Sequence, residues 1–392
     1  MIHRRDLLIG AGAAALAACA GRPASRPAGQ AALTPRPLQA SWPPYAGAMA
    51  IDAAAAMDLM YLQELEPALA AKMLAANLAA ARECGLTAVV TTVAPGGRFW
   101  LTDAAFEKNK RDIIAWAAKI AEYPAELMMI RSGADLDTAH REKRLGIIFT
   151  FQGTEPLGED PDRISMFREM GVRVIQLTHN RHNLVGDGAT EEGNGGLSNY
   201  GRQIVERLNA EKIVVDLAHG SQRTIREGIL ASKRPVLISH TGCRALADLP
   251  RNTPDEELRA LADRGGVAGM IFWPYLRKDT QPMAIDLIRH IEHAIDVAGE
   301  DHVGIGSDTS ITPIERTPEL EKDNREYVAS MVEDGIFEKG RPADLYMFLP
   351  DLNVANRYEK LATLLAARGH PDARIAKILG GNFVRVMREV WG

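Results

Sequence analysis

Two histidines, His219 and His240, each follow a short apolar stretch at the point where the chain becomes polar. The two stretches, residues 213–217 and 235–239, are rich in β-branched residues, which is typical of buried strands. Neutral imidazole is the commonest protein ligand of zinc, and zinc in turn activates water for hydrolysis. A single histidine of this kind is more often structural, but a matched pair at two strand ends predicts a metal centre.

The segment between the two histidines must bring them together. Residues 221–232 have the composition of a helix, and either Ser221 or Thr224 could cap its N-terminus. A strand, a helix and a strand in succession predict a right-handed crossover between two parallel strands. The carboxyl ends of these strands then lie side by side, so both imidazoles face the mouth of a barrel, where such folds keep their active sites.

Polar residues also follow the ends of four other predicted strands. They are Asp52 with Asp58, Gln152, His179 with His182, and Asp308. Polar side chains that collect at successive strand ends are hard to explain as core residues. Two structural alternatives remain open, since Asp308 could cap a following helix and Gln152 could bind loop amides. We take Gln152, His179 and Asp308 as candidate site residues.

Apolar runs and longer amphipathic segments alternate along the rest of the chain. The predicted strands cover residues 48–52, 87–92, 146–151, 172–178, 213–217, 235–239, 267–272 and 303–306. The other predicted helices cover residues 66–83, 103–122, 163–170, 199–209, 255–264 and 283–298. Eight strands that alternate with helices predict an α/β fold, a single-domain (β/α)₈ TIM barrel, with an open doubly wound sheet as the alternative.

The N-terminal segment has the features of an export signal. Arg4 and Arg5 precede an apolar run that is too short to span a bilayer, and the residues up to Cys19 resemble a lipoprotein cleavage site. We expect residues 1–19 to be a twin-arginine or lipoprotein-type signal, residues 20–45 a flexible linker, and residues 46–392 the barrel. Cys19 is then the lipidation site of an exported, periplasmic or membrane-anchored protein. Ordinary signal cleavage beside a coincidental cysteine is the alternative.

Composition excludes several classes of partner. The net charge is −5 and no long basic run is present, which argues against nucleic acid as a partner. Only Cys84 and Cys243 follow the signal segment, so neither a disulfide framework nor a cysteine metal cluster is indicated. Membrane contact is expected only through the lipid anchor, and a homodimer is compatible with the sequence.

The strand-end motifs resemble those of the renal, or membrane, dipeptidase family of zinc hydrolases. LTHN, VDLAH, ISH, PRN and GIGSD occur in the order and spacing of that family, and the resemblance covers residues 51–386. It implies a TIM barrel that hydrolyses dipeptides with zinc. His219 and His240 match the two histidines of the second metal site. His179 matches the residue that polarises the scissile carbonyl, Arg251 the one that binds the substrate carboxylate, and Asp308 the acid after strand eight.

The departures from the family pattern concern the first metal site. Ala54 and Ala56 stand where the family has a His-x-Asp pair, and Gln152 replaces the glutamate that bridges two zinc ions. Asp58 could shift onto the aspartate position, but no histidine would accompany it. A neutral amide is a weaker ligand than a carboxylate and cannot bridge two cations in the same way. The resemblance is therefore to a bacterial branch without the first-site ligands, and we expect one zinc ion.

The remaining residues are sufficient for chemistry at one zinc ion. His219, His240 and the amide oxygen of Gln152 would bind the metal, and Asp308 would complete the site directly or through water. Asp308 could then move the proton of the attacking water, while His179 stabilises the oxyanion. We expect a hydrolase of dipeptides or related small amides. A catalytically impaired carboxylate-binding lipoprotein, or a hydrolase of another small amide or a lactone, are the alternatives.

The lipid anchor is directly testable. Replacing Cys19 by Ser should release the exported protein from the membrane fraction, because the hydroxyl cannot be lipidated in place of the thiol. Immunoblotting of fractionated cells measures this, with replacement of Cys84 as the control. A Cys19→Ser protein that stays in the membrane fraction would show that the anchor assignment is wrong.

Overall fold

Eight parallel strands surround a common axis and close on themselves in the computed structural model of the chain. The structure describes residues 33, 39, 41–57, 66–94 and 103–392. The predicted signal with Cys19, most of the predicted linker and Asp58 lie outside the described residues. The predicted (β/α)₈ barrel is confirmed, and the domain limits at residues 19 and 45 remain predictions.

The barrel strands coincide with the eight predicted strands. Around the barrel, each strand pairs in parallel with the next, and the first strand pairs with the last. The barrel strands are β1 (Ile51–Asp52), β3 (Ala88–Ala94), β5 (Leu145–Phe151), β6 (Val172–Gln176), β7 (Val214–Asp216), β8 (Leu237–Thr241), β9 (Val267–Met270) and β10 (Val303–Ile305). In a parallel barrel all carboxyl ends point to one mouth, so the candidate residues meet there.

Three very short strands were not predicted. β4 (Leu127–Met129) pairs with the first half of β5, whose second half pairs with β6. β2 (Ala55–Ala56) and β11 (Thr309–Ser310) pair with each other and join the segments that leave β1 and β10. Two or three residues carry too little periodicity to be recognised in a sequence.

Helices connect the strands and pack around them. They are α1 (Pro67–Glu83), α2 (Asp103–Glu122), α3 (Gly133–Glu142), α4 (Arg163–Glu169), α5 (Asn199–Ala210), α6 (Gln222–Ala231), α7 (Asp255–Asp263), α8 (Ala284–Ala298), α9 (Pro318–Glu333), α10 (Arg357–Ala367), α11 (Asp372–Ala376) and α12 (Asn382–Trp391). Ser221 caps α6, because its side chain accepts a hydrogen bond from the Thr224 amide. No helix in the described part of the chain is both long and apolar enough to cross a bilayer.

The barrel interior has an apolar layer below a polar one. Alternate residues of a strand face the same side, so positions two apart both point inwards. The apolar layer contains Val90, Ile148, Val174, Val214 and Leu237. Two residues further along the same strands come Thr92, Thr150, Gln176, Asp216 and Ser239, which line a cavity nearer the mouth. Helix α12 packs Phe383, Val386, Met387 and Val390 against the apolar layer and closes the lower end.

His290 on α8 holds two loops of the barrel mouth. Its Nδ1 accepts a hydrogen bond from the Cys243 amide at 2.9 Å, and its Nε2 donates to the Leu276 carbonyl at 3.0 Å. This arrangement requires the neutral imidazole, because Nδ1 must accept. Burial lowers the pKa of His290 to about 4. The loops after β8 and β9 are therefore fixed by one uncharged side chain.

We predict that His290→Ala lowers the free energy of unfolding by about 2–4 kcal/mol, since it leaves a buried donor and a buried acceptor unpaired. The unmodified protein should lose stability as pH falls from 6.5 towards 4, because the unfolded chain binds the proton that folded His290 excludes. Urea denaturation across this pH range measures both effects. His182→Ala is the control, since that side chain is 73% exposed. Equal stability of the His290 and His182 variants would contradict the prediction.

Candidate metal centre

The two predicted metal ligands face each other at the barrel mouth. His219 follows β7 and His240 belongs to β8, and their Nε2 atoms are 2.8 Å apart. Both side chains are almost fully buried, with exposed fractions of 7% and 1%. The crossover through α6 therefore brings the two imidazoles together as the sequence predicted.

Hydrogen bonds at the other ring nitrogens determine the form of each imidazole. His219 Nδ1 is 2.7 Å from Asn180 Oδ1, an acceptor, so this nitrogen carries the proton. His240 Nδ1 is 2.8 Å from Ser239 Oγ, whose own proton goes to Asp216, so His240 is also protonated on Nδ1. Two Nε2 lone pairs are thus directed at each other. Burial lowers the pKa of both imidazoles well below 6.5, which disfavours a proton between them, whereas a metal cation would relieve the repulsion.

Asp308 brings a carboxylate to the same place. Its Oδ2 is 3.9 Å from His240 Nε2, and one ligand atom from each of Asp308, His219 and His240 lies within 4.8 Å of the others. Burial raises the pKa of Asp308 to about 7, and Arg251 acts in the opposite direction. The side chain remains 21% exposed, so a substrate can reach it. Two imidazole nitrogens and one carboxylate oxygen suit a zinc ion with an open position.

The backbone at two of these residues adopts an unusual conformation. His219 has a φ of 61° and Asp308 a φ of 57°, both in the left-handed region that residues with a side chain seldom occupy. The Asp308 amide donates to the Ala54 carbonyl at 2.6 Å, and the Trp273 indole donates to the Asp308 carbonyl. Such conformations persist only where the surroundings fix them, and they concentrate at functional sites.

Asp216 holds both candidate metal ligands, His219 and His240, and could not be singled out from the strand-end pattern. Its Oδ1 accepts hydrogen bonds from the Ala218 amide at 3.0 Å and the Ser239 amide at 2.8 Å. Its Oδ2 accepts from the Ser239 hydroxyl at 2.5 Å, and that hydroxyl orients His240. One buried carboxylate therefore fixes the turn before His219 and the ring of His240. A buried acid inside the apolar run VVDL was the signal available in the sequence.

Asp52 plays a corresponding role at the other side of the barrel. Its Oδ1 accepts from the Ala54 amide at 3.0 Å and the Ser307 amide at 2.9 Å. Its Oδ2 accepts from the Tyr358 hydroxyl at 2.5 Å. Asp52 thus ties the end of β1 to the residue that precedes Asp308.

His179 and Arg251 lie next to the histidine pair. The His179 ring stacks on His219 with centroids 4.2 Å apart, and burial lowers its pKa to about 4. Arg251 is 7% exposed, donates from Nη2 to the His240 carbonyl at 2.9 Å, and lies 5.7 Å from the Tyr275 ring centre. Its Nε has no hydrogen-bond partner among the described residues. Arg251 and Tyr275 line a mouth cavity of about 430 Å³.

The positions of the family's first metal site line a separate cavity of about 200 Å³. Ala54, Ala56 and Gln152 all border it, together with His240 and Asp308. Methyl groups cannot bind a metal, so these positions do not fit a second zinc ion. Gln152 borders the same cavity as His240 and Asp308, and its role as a metal ligand stays a prediction. His182 is exposed at 73% and pairs with Glu191, so it takes no part in the centre.

The role of Asp216 leads to a prediction about metal affinity. Asp216→Asn should weaken zinc binding by about 10- to 100-fold, because an amide cannot accept all three hydrogen bonds that orient the ligands. Competition with a chelating dye measures the affinity, and Asp334→Asn on the surface is the control. Unchanged affinity in a folded Asp216→Asn protein would mean that the histidines are held by other contacts.

The chain resembles proteins of one family over most of its length. The family model for membrane dipeptidases, peptidase family M19, matches residues 48–336 of the sequence. A dipeptidase of Clonostachys rogersoniana is 30% identical over 276 residues, which cover 69% of this chain and 62% of that protein. This chain therefore spans a little under two thirds of the length of that fungal relative.

Two solved structures share the fold of this chain. An amidohydrolase from Pseudomonas aeruginosa is 29% identical, with a TM-score of 0.73 over 89% of this chain and 98% of that one. A metallopeptidase from Rhodobacter sphaeroides, liganded with a phosphinate mimic of the dipeptide L-Ala-D-Ala, is 18% identical and shares the fold, with a TM-score of 0.70 over 88% of this chain and 99% of that one. On the family match across residues 48–336, the chain belongs to the membrane dipeptidase family, peptidase family M19.

Proposed function

We propose that this protein hydrolyses dipeptides or related small amides with the help of one zinc ion. One observation carries the proposal. The unprotonated Nε2 atoms of His219 and His240 lie 2.8 Å apart, beside the Asp308 carboxylate. Membership of the membrane dipeptidase family supports the reaction class. The alanines at positions 54 and 56 support a single ion, since they remove two of the ligands that a second ion would need.

His219 and His240 would hold the zinc ion through Nε2, with Gln152 and Asp308 as further oxygen ligands. When bound there, zinc supplies Lewis acidity and allows water to act as a nucleophile near neutral pH. Asn180 and Ser239 keep the two imidazoles in the form that leaves Nε2 free. The protein thus contributes orientation and the exclusion of bulk water.

Asp308 would carry the proton through the reaction. As a carboxylate it accepts a proton from the attacking water, and it then delivers this proton to the nitrogen of the leaving amine when the C–N bond breaks. Without a metal ion, burial raises the pKa of this group to about 7, while Arg251 acts in the opposite direction. An acid and base of this kind typically contributes about 10²- to 10⁴-fold to the rate.

His179 and Arg251 would act on the substrate. His179 is neutral at pH 7, since burial lowers its pKa to about 4, and its N–H can donate to the carbonyl oxygen as negative charge develops. Arg251 has an unpartnered Nε within the described part of the chain and borders the mouth cavity. A guanidinium of this kind can bind a free carboxylate through two parallel hydrogen bonds. The substrate would therefore be a small molecule with a free C-terminus.

A carboxylate-binding protein without catalysis is the second candidate, and the alanines at positions 54 and 56 are the observation that favours it. Under that function Arg251 would still bind a ligand, but no turnover would occur. Hydrolysis of a lactone or another small amide would use the same metal and acid. We further propose that the protein is exported and anchored through Cys19, with the predicted linker between the membrane and the barrel.

Four variants distinguish hydrolase from binding protein. We expect about one zinc ion per chain after dialysis, and His219→Ala or His240→Ala should lose both zinc and activity. Asp308→Asn should retain much of the zinc but lose about 10²- to 10⁴-fold in kcat, because the proton carrier is missing. Arg251→Ala should mainly raise KM for dipeptides with a free carboxylate. Elemental analysis and a dipeptide panel, before and after chelation, provide the measurements.

The control for these kinetics is Asp137→Asn, a change at an exposed residue of α3 that pairs with Arg388 of α12 at the lower end of the barrel. Activity that survives the loss of both histidines would contradict the mechanism, whatever the substrate. Two tightly bound ions per chain would show that a ligand outside the described residues, such as Asp58, completes a second site. Ligand binding without turnover in the zinc-loaded protein would favour the binding-protein candidate.

A further inference from the structure

A cavity of about 200 Å³ adjoins the candidate metal centre and shares Gln152, His240 and Asp308 with it, but most of the lining residues have no role in the proposed reaction. We call it the alanine cavity, because four consecutive alanines, Ala53, Ala54, Ala55 and Ala56, form one part of its wall. Neutral polar side chains form another part. They are Thr92, Thr150, Gln152 and Gln176. Its volume is several times what a single water molecule needs.

Both acids that line the alanine cavity, Asp216 and Asp308, already have a role. The carboxylate of Asp216 receives three hydrogen bonds from the ends of β7 and β8. Asp308, at the border with the metal centre, is assigned to the zinc ion and the proton transfer. The remaining lining is uncharged, and burying an unpaired charge among neutral groups is unfavourable. The cavity therefore suits an uncharged occupant.

Two oxygens of the lining residues lack a partner. Thr92 Oγ1 and Gln176 Oε1 are buried and have no hydrogen-bond partner in the part of the chain that the structure describes. The side-chain nitrogen of Gln176, by contrast, donates to the backbone carbonyls of Gln152 and Thr178 at 3.1 and 2.8 Å. Buried polar atoms are normally paired, so unpaired acceptors beside a cavity indicate a ligand that donates hydrogen bonds.

We propose that the alanine cavity is a substrate subsite for an uncharged carboxamide side chain, such as that of asparagine. A carboxamide offers two N–H donors and one acceptor, which complements the two free oxygens and the amide N–H of Gln152, whose oxygen is assigned to the zinc ion. The cavity shares His240 and Asp308 with the metal centre, so a group bound there can belong to a substrate whose amide bond lies at the zinc ion. The identity of the substrate as a dipeptide rests on the proposed function.

Binding of analogues that cannot be hydrolysed tests the subsite without relying on turnover. The analogues are dipeptides whose peptide bond is replaced by CH₂–NH, with asparagine, leucine or aspartate at the first or the second position and glycine at the other. Calorimetric titration of the zinc-loaded full chain gives the dissociation constants. We expect one asparagine analogue to bind about tenfold more tightly than its leucine and aspartate counterparts, the effect of about two net hydrogen bonds.

Three variants relate this preference to the cavity. Ala54→Leu fills the space and should abolish the tenfold preference. Thr92→Val removes only a hydroxyl at nearly constant volume and should reduce the preference about threefold, so the test does not depend on how well the leucine variant folds. Thr178→Val is the matched control. It removes a buried hydroxyl that is likewise unpartnered among the described residues but does not line the cavity, so the preference should persist.

Equal affinity for the asparagine and leucine analogues would overturn the subsite. A preference that persists unchanged in both Ala54→Leu and Thr92→Val would overturn it as well, because the preference would then arise elsewhere. Hydrolysis of dipeptides without any asparagine preference refutes the subsite and leaves the proposed function standing. An asparagine preference that the cavity variants remove, without hydrolysis of any parent dipeptide, supports the subsite and refutes the proposed function.

Discussion

The candidate metal centre depends on the hydrogen bonds that the carboxylate of Asp216 accepts. Its hydrogen bonds join the ends of β7 and β8 and fix His219 and His240 at the same time. Each histidine then needs only one further partner, Asn180 or Ser239, to present an unprotonated Nε2. A charge buried in a barrel is costly unless it is fully paired, and here the pairing itself builds the site.

The charges of the candidate site suit the one metal ion that we propose. His219 and His240 are neutral, so Asp308 is the one acid of this possible ligand group in the described residues. A second dication would require the histidine, the aspartate and the bridging glutamate whose positions are taken here by Ala54, Ala56 and Gln152. The replacements therefore form a consistent set, because Ala56 and Gln152 each remove a negative charge and Ala54 removes a neutral ligand, none of which a single cation needs.

Much of the architecture could be predicted from the sequence, because buried strands and amphipathic helices differ in periodicity. β4 and the pair β2 and β11 could not, since two or three residues show no period. The strand ends located His179, His219, His240 and Asp308, and the resemblance to the dipeptidases added their roles. The left-handed backbone of His219 and Asp308 and the anchoring by Asp216 depend on contacts between distant strands, which no local pattern encodes.

Helix α12 is synthesised after all eight barrel strands, although it covers the lower end of the barrel that they form. Its apolar face covers the lower layer of strand residues, among them Ile51 near the start of the described chain and Val267 towards its end. The ribosome delivers this cover after all eight strands. Until α12 has emerged, the growing chain exposes an apolar surface, as folding intermediates of large domains do. The barrel can therefore bury its lower layer only after α12 has been synthesised, so the strands alone do not complete the core.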